Sequence, residues 1–155
     1  MKKDIKKLKE LTKDLERCMM TTITEEGKLY SRPMSVQEID GEGNIWFFTH
    51  SDTDKIKEIR NEDSININYM GKNYVSIYGE AEIVEDDKLK KDKWTKDAKA
   101  WFQTSYDDPS IKLIKVNTES AEYWESEGAK TFLEIVTSMI KREEPNPGEN
   151  KEINL

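Results

Sequence analysis

The sequence predicts a mainly β protein, a small antiparallel barrel with peripheral helices. Three observations carry that expectation. From Tyr74 to Ile83 the residues alternate, with Val75, Ile77, Gly79, Ala81 and Ile83 on one face and Tyr74, Ser76, Tyr78, Glu80 and Glu82 on the other. That two-residue period belongs to a half-buried strand. Shorter segments of similar character recur, separated by the turn-forming stretches EEGK, GEG and MGKN, whose glycines and polar residues suit tight reversals. The regular strand–helix alternation of a doubly wound parallel sheet is missing. About five to seven antiparallel strands closing on themselves would leave no exposed edge, so a barrel is the expected architecture.

Each element can be justified in turn. Ile5, Leu8, Leu11 and Leu15 fall at helical spacing among lysines and acids, so residues 3–16 are expected to form an amphipathic helix docking one apolar stripe. Arg17 to Thr24 reads as the first strand, reversed by EEGK into a second over Leu29–Val36 that places Tyr30, Arg32, Met34 and Val36 on one face. Pro33 cannot donate to a ladder, which implies an edge or a bulge there. Ile45 to Thr49 is a short apolar run of strand character, joined to the preceding strand by the GEG turn.

A short helix over Lys55–Asn61 turns Ile56 and Ile59 inward, and Ile65, Ile67 and Tyr69 mark the next half-buried strand. Gly79, in the middle of the clearest strand, suggests a bend or bulge at a barrel corner. Asp86–Lys93 and Thr95–Phe102 read as helical turns around Trp94 and Trp101, before Pro109 interrupts. Ile111–Val116 and Ser120–Trp124 look like a final hairpin. A helical stripe follows from Ala129 through Phe132, Ile135, Val136, Met139 and Ile140. Residues 1–142 are expected to form one domain, and the acidic tail 143–155, with two prolines and few apolar residues, to be poorly ordered.

Composition narrows the function. The 155 residues carry a net charge of −7 and 37% charged side chains, which argues against a nucleic-acid binder. No apolar run approaches the ~20 residues of a membrane span, and the N-terminus lacks the apolar core of a signal peptide. The expected location is the cytoplasm, with no membrane partner. A single cysteine, Cys18, excludes an intrachain disulfide, and a single histidine, His50, excludes a multi-histidine metal site. The glycine-rich phosphate loops and the GxSxG nucleophile elbow are absent. Carboxylate pairs such as Asp86–Asp87 and Asp107–Asp108 fit turns and helix caps. A chain whose own side chains offer so little chemistry is either cofactor-dependent or a binding module.

One stretch does carry a site. After Thr49 the loop HSDTD offers Ser51 and Thr53, and Lys55 follows at a helix start. Hydroxyls, helix-start amides and a lysine are the parts of a phosphate site. Arg32 on a neighbouring strand would add a bidentate clamp that lysine cannot supply. The alternative reading of Arg32 and Lys55 is ordinary surface charge, and of Trp46, Phe47 and Phe48, barrel core.

The ordered strings SRPM, WFFT and a lysine after a short polar loop, followed by YVSIYGEAEIVEDD, KAWF, DDP and AEYW, resemble the flavin-binding split-barrel proteins of the pyridoxamine 5′-phosphate oxidase superfamily. Within it they resemble the branch called general stress protein 26. The resemblance covers roughly residues 15–125. It implies an FMN-binding split β-barrel and a homodimer with flavin at the interface. It also implies a flavin-dependent oxidoreductase with NAD(P)H as a possible donor, or else a flavin-binding stress protein without turnover. A haem or deazaflavin ligand, as in cousins of the fold, is a remoter implication.

Carried over residue by residue, Arg32 meets the flavin phosphate and ribityl region, with Ser31 beside it. Pro33 and Met34 place backbone against the ring, and Phe48 and Thr49 contact the flavin along the next strand. Lys55 and Ser51 hold the phosphate, and Trp101 reaches the flavin across the dimer interface. Gln37 and Tyr74 stand where the oxidase has lysine and glutamine, and Asp54 where it has arginine. No histidine follows Trp124, so the oxidase's C-terminal arginine–histidine pair has no counterpart. Oxidation of pyridoxamine phosphate itself is therefore not expected.

Overall fold

A computed structural model of the chain describes residues 2–125 and 149–155. The described elements are α1 (Lys2–Thr12), β1 (Arg17–Ile23), β2 (Leu29–Ser35), β3 (Glu38–Ile39), β4 (Ile45–His50), α2 (Asp54–Asn61), β5 (Ser64–Met70), β6 (Asn73–Val84), α3 (Asp87–Lys93), α4 (Lys96–Phe102), β7 (Ile111–Glu125) and β8 (Glu149–Asn154). All strand pairings are antiparallel, in the order β2-β1-β5-β6-β7-β4-β3, with β8 added alongside β7. This is the mainly β, curled sheet that the alternating pattern predicts. β2 is an edge, as Pro33 requires, since the missing N–H of proline costs nothing where no neighbour waits.

Alternation sorts the side chains into two cores. The inner face gathers Cys18 and Met20 of β1, Ile45 and Phe47 of β4, Ile65, Ile67 and Tyr69 of β5, Val75 and Ile77 of β6, and Ile114 and Val116 of β7. Leu8 and Leu11 of α1 and Ile56 and Ile59 of α2 complete it, so both amphipathic helices bury the stripes their spacing defines. On the opposite face, Trp46, Phe48, Ile111 and Leu113 pack with Ala98, Trp94 and Phe102 of the α3–α4 segment. Cys18 is a buried thiol, and burial pushes its pKa up to about 12. It behaves as a small core residue and not as a nucleophile.

Four expectations need correction. The GEG turn joins β3 to β4 and not β2 to β4; Gly43 takes φ +88° there, beside the β3–β4 pairing. β2 pairs instead with β1, because EEGK closes that hairpin first. The final hairpin is one strand of 15 residues, β7, which pairs with β6 along most of its length. It spans both halves of the sheet, with β4 against residues 111–116 and β8 against residues 120–125. The first helix ends at Thr12 and not at residue 16. Lastly, the tail expected to be poorly ordered carries β8, whose Ile153 lies opposite Ala121 and is buried in the inner core. One well-placed isoleucine and a free strand edge outweigh the polar composition around it. The helical stripe expected from Ala129 and the tail residues 143–148 lie outside the described residues.

Gly79 sits where the register of β6 against β7 shifts, Gly79 facing Thr118 while Tyr78 faces Ser120. A Cβ added there would lie 2.4 Å from the backbone oxygen of Asn117. The opposing strand's main chain therefore occupies the space a side chain would need. Gly79→Ala should lower stability by about 1–3 kcal/mol, the usual cost of forced overpacking. Gly41→Ala, where an added Cβ meets nothing within 4 Å, serves as the control. Chemical denaturation of the two variants checks this; equal midpoints would show that the bulge relaxes freely.

Candidate functional site

The inner faces of β1 and β2 bring the first parts of the site together. Met20 pairs with Arg32 and Thr22 with Tyr30, so the Arg32 side chain lies on the face shared by Met20 and Thr22. α2 crosses this face, anchored by Ile56 and Ile59. Lys55 and Glu58 are one helical turn apart and thus neighbours on its surface.

Arg32 Nη1 donates to Thr22 Oγ1 (2.7 Å) and to Glu58 Oε2 (2.8 Å), and Nη2 donates to Glu58 Oε1 (3.2 Å). The Thr22 hydroxyl donates to Glu58 Oε2 at 2.5 Å. Lys55 is only 7% exposed, and its Nζ donates to Thr49 Oγ1 at 2.8 Å.

The electrostatics follow from this packing. The Arg32 hydrogen bond, and after it the Thr22 hydroxyl, hold the Glu58 carboxyl below the usual carboxylate range against the opposing effect of burial. Burial, with the Arg32 charge adding to it, pulls the Lys55 ammonium below its ordinary value. Both shifts describe one arrangement: two cations face the Glu58 carboxylate on a largely desolvated wall, with Asp52 of the preceding loop also acting on Lys55. Thr49 Oγ1 is the one hydrogen-bond acceptor recorded for the Lys55 ammonium among the described residues. An ammonium carries three donors. Such a donor set suits an oxyanion.

The loop before α2 is consistent with that. Thr53 is the N-cap of α2, yet its hydroxyl turns back to the His50 carbonyl at 2.9 Å and makes no cap bond. Ser51 is half-buried, tied through its backbone N–H to Ser110 O at 2.7 Å. Asp54 lies in the first turn of α2, where it opposes rather than assists an anion.

Of the residues singled out from sequence, Arg32, Thr49 and Lys55 are thus linked through Glu58 and α2. The remainder are distributed elsewhere. Ser31 and Pro33 alternate to the outer face, where the Ser31 and Thr21 hydroxyls pair at 2.6 Å. Met34 is buried in the inner core. Phe48 points away from Thr49 into the second core, its ring 4.9 Å from that of Trp94 in an edge-on contact. Gln37 accepts a hydrogen bond from the Thr95 hydroxyl (3.0 Å) and borders a separate cavity of about 300 Å³ with Lys9, Lys13 and Tyr69. Tyr74, the second residue of β6, lies on the outer face, and Trp101 stands 70% exposed on α4.

Glu58 and Thr22 were not anticipated. The lysine–glutamate spacing on a helix was the available signal for Glu58. Thr22 required the β1–β2 register. Among the described residues no group of histidine, cysteine, aspartate and glutamate is arranged to hold a metal ion, and no helix is long and apolar enough to cross a membrane.

A family model described as pyridoxamine 5′-phosphate oxidase like matches residues 3–146. The Neurospora crassa protein bli-3 is 29% identical over 118 residues, covering 68% of this chain and 56% of that protein; the chain spans little more than half of that curated relative. A general stress protein 26 from Jannaschia sp. CCS1 superposes with a TM-score of 0.73 at 25% identity, over 100% of both chains. A protein related to general stress protein 26, from Clostridium acetobutylicum, gives a TM-score of 0.76 at 17% identity, over 100% of this chain and 96% of the other. The general stress FMN/FAD-binding protein of Xanthomonas citri gives 0.71 at 23% identity, over 84% and 94%.

The Arg32–Glu58 pair has a pH signature. A carboxyl whose folded pKa is depressed adds stability above its unfolded value, and that stability is lost as pH falls through the folded value. Acidification below about 4.3, the unperturbed glutamate value, should therefore destabilise the wild type progressively. Glu58→Gln should be less stable near neutrality and less sensitive to acid, so that the difference closes as pH drops. Thermal melts of both proteins from neutral to acid pH check this; a constant difference would mean that Glu58 does not titrate as described.

Proposed function

The chain belongs to the pyridoxamine 5′-phosphate oxidase-like family, and on that footing we propose that it binds FMN, with Arg32 and Lys55 holding the phosphate. The observation that supports this reading is the surplus of donors on Arg32 and Lys55: Thr22 and Glu58 occupy only part of the guanidinium and Thr49 one position of the ammonium, which leaves N–H groups for a phosphate monoester. Thr49 holds the Lys55 ammonium in place, and the Ser51 hydroxyl in the adjoining loop is a further donor. Flavin names among the structural neighbours support the same cofactor.

FMN supplies hydride or single-electron transfer when bound. The protein's part is to fix the phosphate, orient the ring and exclude water. The cluster holds no histidine; His50, the chain's one histidine, stacks edge-on against Phe102 at 5.1 Å. We read the activity as that of an oxidoreductase drawing on NAD(P)H, acting in the cytoplasm, where a free buried thiol such as Cys18 is stable. A flavin-binding protein without turnover is the second reading, favoured by that lack of a histidine. Steady NAD(P)H oxidation by the loaded protein separates the two. Pyridoxamine phosphate is not the substrate in either reading, since Gln37 and Asp54 replace cationic positions that its phosphate would need.

The cofactor reading is tested by the absorption spectrum of the purified protein and by titration with FMN and riboflavin. Lys55→Ala and Arg32→Ala should each weaken FMN and leave riboflavin nearly unchanged. A charge-assisted hydrogen bond is worth about 1.5–3 kcal/mol, so each loss should cost about 10- to 150-fold in FMN affinity. Equal weakening of both ligands would remove the phosphate from this cluster.

We further propose a homodimer formed through the outer face of the sheet, with Trp101 also covered by the partner. That face leaves Met19 (41%), Met70 (80%), Tyr74 (37%) and Tyr78 (40%) exposed, beside Pro33. An apolar, aromatic surface of this kind suits a self-complementary two-fold contact. Light scattering at micromolar concentration should give twice the chain mass, and Met70→Lys with Tyr78→Lys should shift it toward monomer. A wild-type monomer holding stoichiometric FMN would refute the arrangement.

A further inference from the structure

We infer that Glu58, together with Thr22, is a positioning residue that turns one edge of the Arg32 guanidinium outward as a two-pronged donor for the ligand phosphate. This rests on the cofactor reading above and extends it to two residues that make no proposed contact with the ligand.

The donors of the Arg32 guanidinium fall into two sets. A guanidinium has five N–H bonds in one plane. Nη1 directs its two toward Thr22 Oγ1 and Glu58 Oε2, and Nη2 directs one toward Glu58 Oε1. The two that remain are Nε–H and the outer Nη2–H. They lie side by side on a single edge and run parallel, the spacing that two oxygens of a phosphate accept. Glu58 therefore does not compete with the ligand for Arg32. It occupies the far edge and so selects the near one.

The anchoring is rigid. Thr22 is fully buried, and its hydroxyl both accepts from Arg32 and donates to Glu58, so neither rotation nor water exchange is free to it. Glu58 rides on the same turn of α2 as Lys55, and the intervening Ile56 is locked into the inner core. The carboxylate that aims one cation thus shares a rigid element with the other cation. If the two cations grip one phosphate, their relative geometry is set by α2 and β1 and not by the ligand.

Charge and aim can be separated by substitution. Glu58→Asp keeps the charge but withdraws the carboxylate by one methylene. Thr22→Val removes the hydroxyl with little change of shape and no change of charge. Dissociation constants for FMN and for riboflavin are measured on the full chain freed of cofactor, with thermal melts to establish folding. Each substitution should reduce the preference for FMN over riboflavin by about 5- to 20-fold, part of the loss expected for a charge-assisted contact, while riboflavin binding stays unchanged. In an Arg32→Ala background neither should reduce that preference further.

An unaltered preference in folded variants, a raised preference, or the same loss without Arg32 would each overturn the inference. A raised preference would identify Glu58 as a competitor for Arg32. Should Glu58→Asp fail to fold, Thr22→Val decides alone. A wild type that binds FMN and riboflavin equally would instead overturn the phosphate reading itself. A wild type that prefers FMN, with variants that match it, overturns only the role given to Glu58.

Discussion

Two cations held beside the Glu58 carboxylate, on a wall from which water is largely excluded, are the constraint around which this structure is arranged. An isolated buried charge costs several kcal/mol, and the fold meets that cost piecemeal. Arg32 is satisfied on one edge by Glu58 and Thr22, while Lys55 rests on the Thr49 hydroxyl. These five residues come from four elements, β1, β2, β4 and α2, with Lys55 and Glu58 both on α2. A change that moves any one of them disturbs the others, so the cluster and the barrel are energetically a single object.

That dependence explains why the sheet is curved where it is. β4 and β2 are far apart in strand order, at positions separated by β1, β5, β6 and β7. Thr49 and Arg32 meet the same helix only because the sheet curls back on itself. Part of the curl is made in the β6–β7 pair, where Gly79 removes a side chain and the register of the opposing strand shifts at Thr118–Ser120. Bulges of this kind raise local twist and turn a barrel corner. A glycine among the alternating residues of β6 thus marks one place where the sheet departs from regular pairing.

How much of this was legible in the sequence depends on the range of the interaction concerned. Period-two alternation and turn chemistry are local, and they located β1, β2, β4, β5 and β6 and the edge character imposed by Pro33. Arg32 and Lys55 stood out because their residue types, beside the hydroxyls of the HSDTD loop, suit an anion, and the structure brings both together at α2. Glu58 and Thr22 were not, since their role exists only once α2 lies across the β1–β2 register. Phe48 illustrates the opposite limit. It is adjacent to Thr49 in sequence and opposite to it in space, because neighbouring side chains on a strand cannot share a face. β8 was misjudged for a related reason: composition describes a segment's average, whereas Ile153 needed only one free strand edge and one apolar site opposite Ala121.

The charge of the whole chain places a further demand on the cluster. At a net −7 the protein repels anions on average, so electrostatic steering does not favour the arrival of a phosphate ligand. Screening confines that repulsion to about 8 Å at physiological ionic strength, whereas the proposed phosphate contacts at Arg32 and Lys55 would act at hydrogen-bond range behind partly excluded water. For the proposed phosphate ligand, affinity would then rest on slow release more than on fast capture. Slow release in turn requires donors that keep their geometry while the ligand is bound. A helix locked by Ile56 and Ile59 and a guanidinium fixed along one edge meet that requirement. Flexible surface lysines, of which this chain has many, do not.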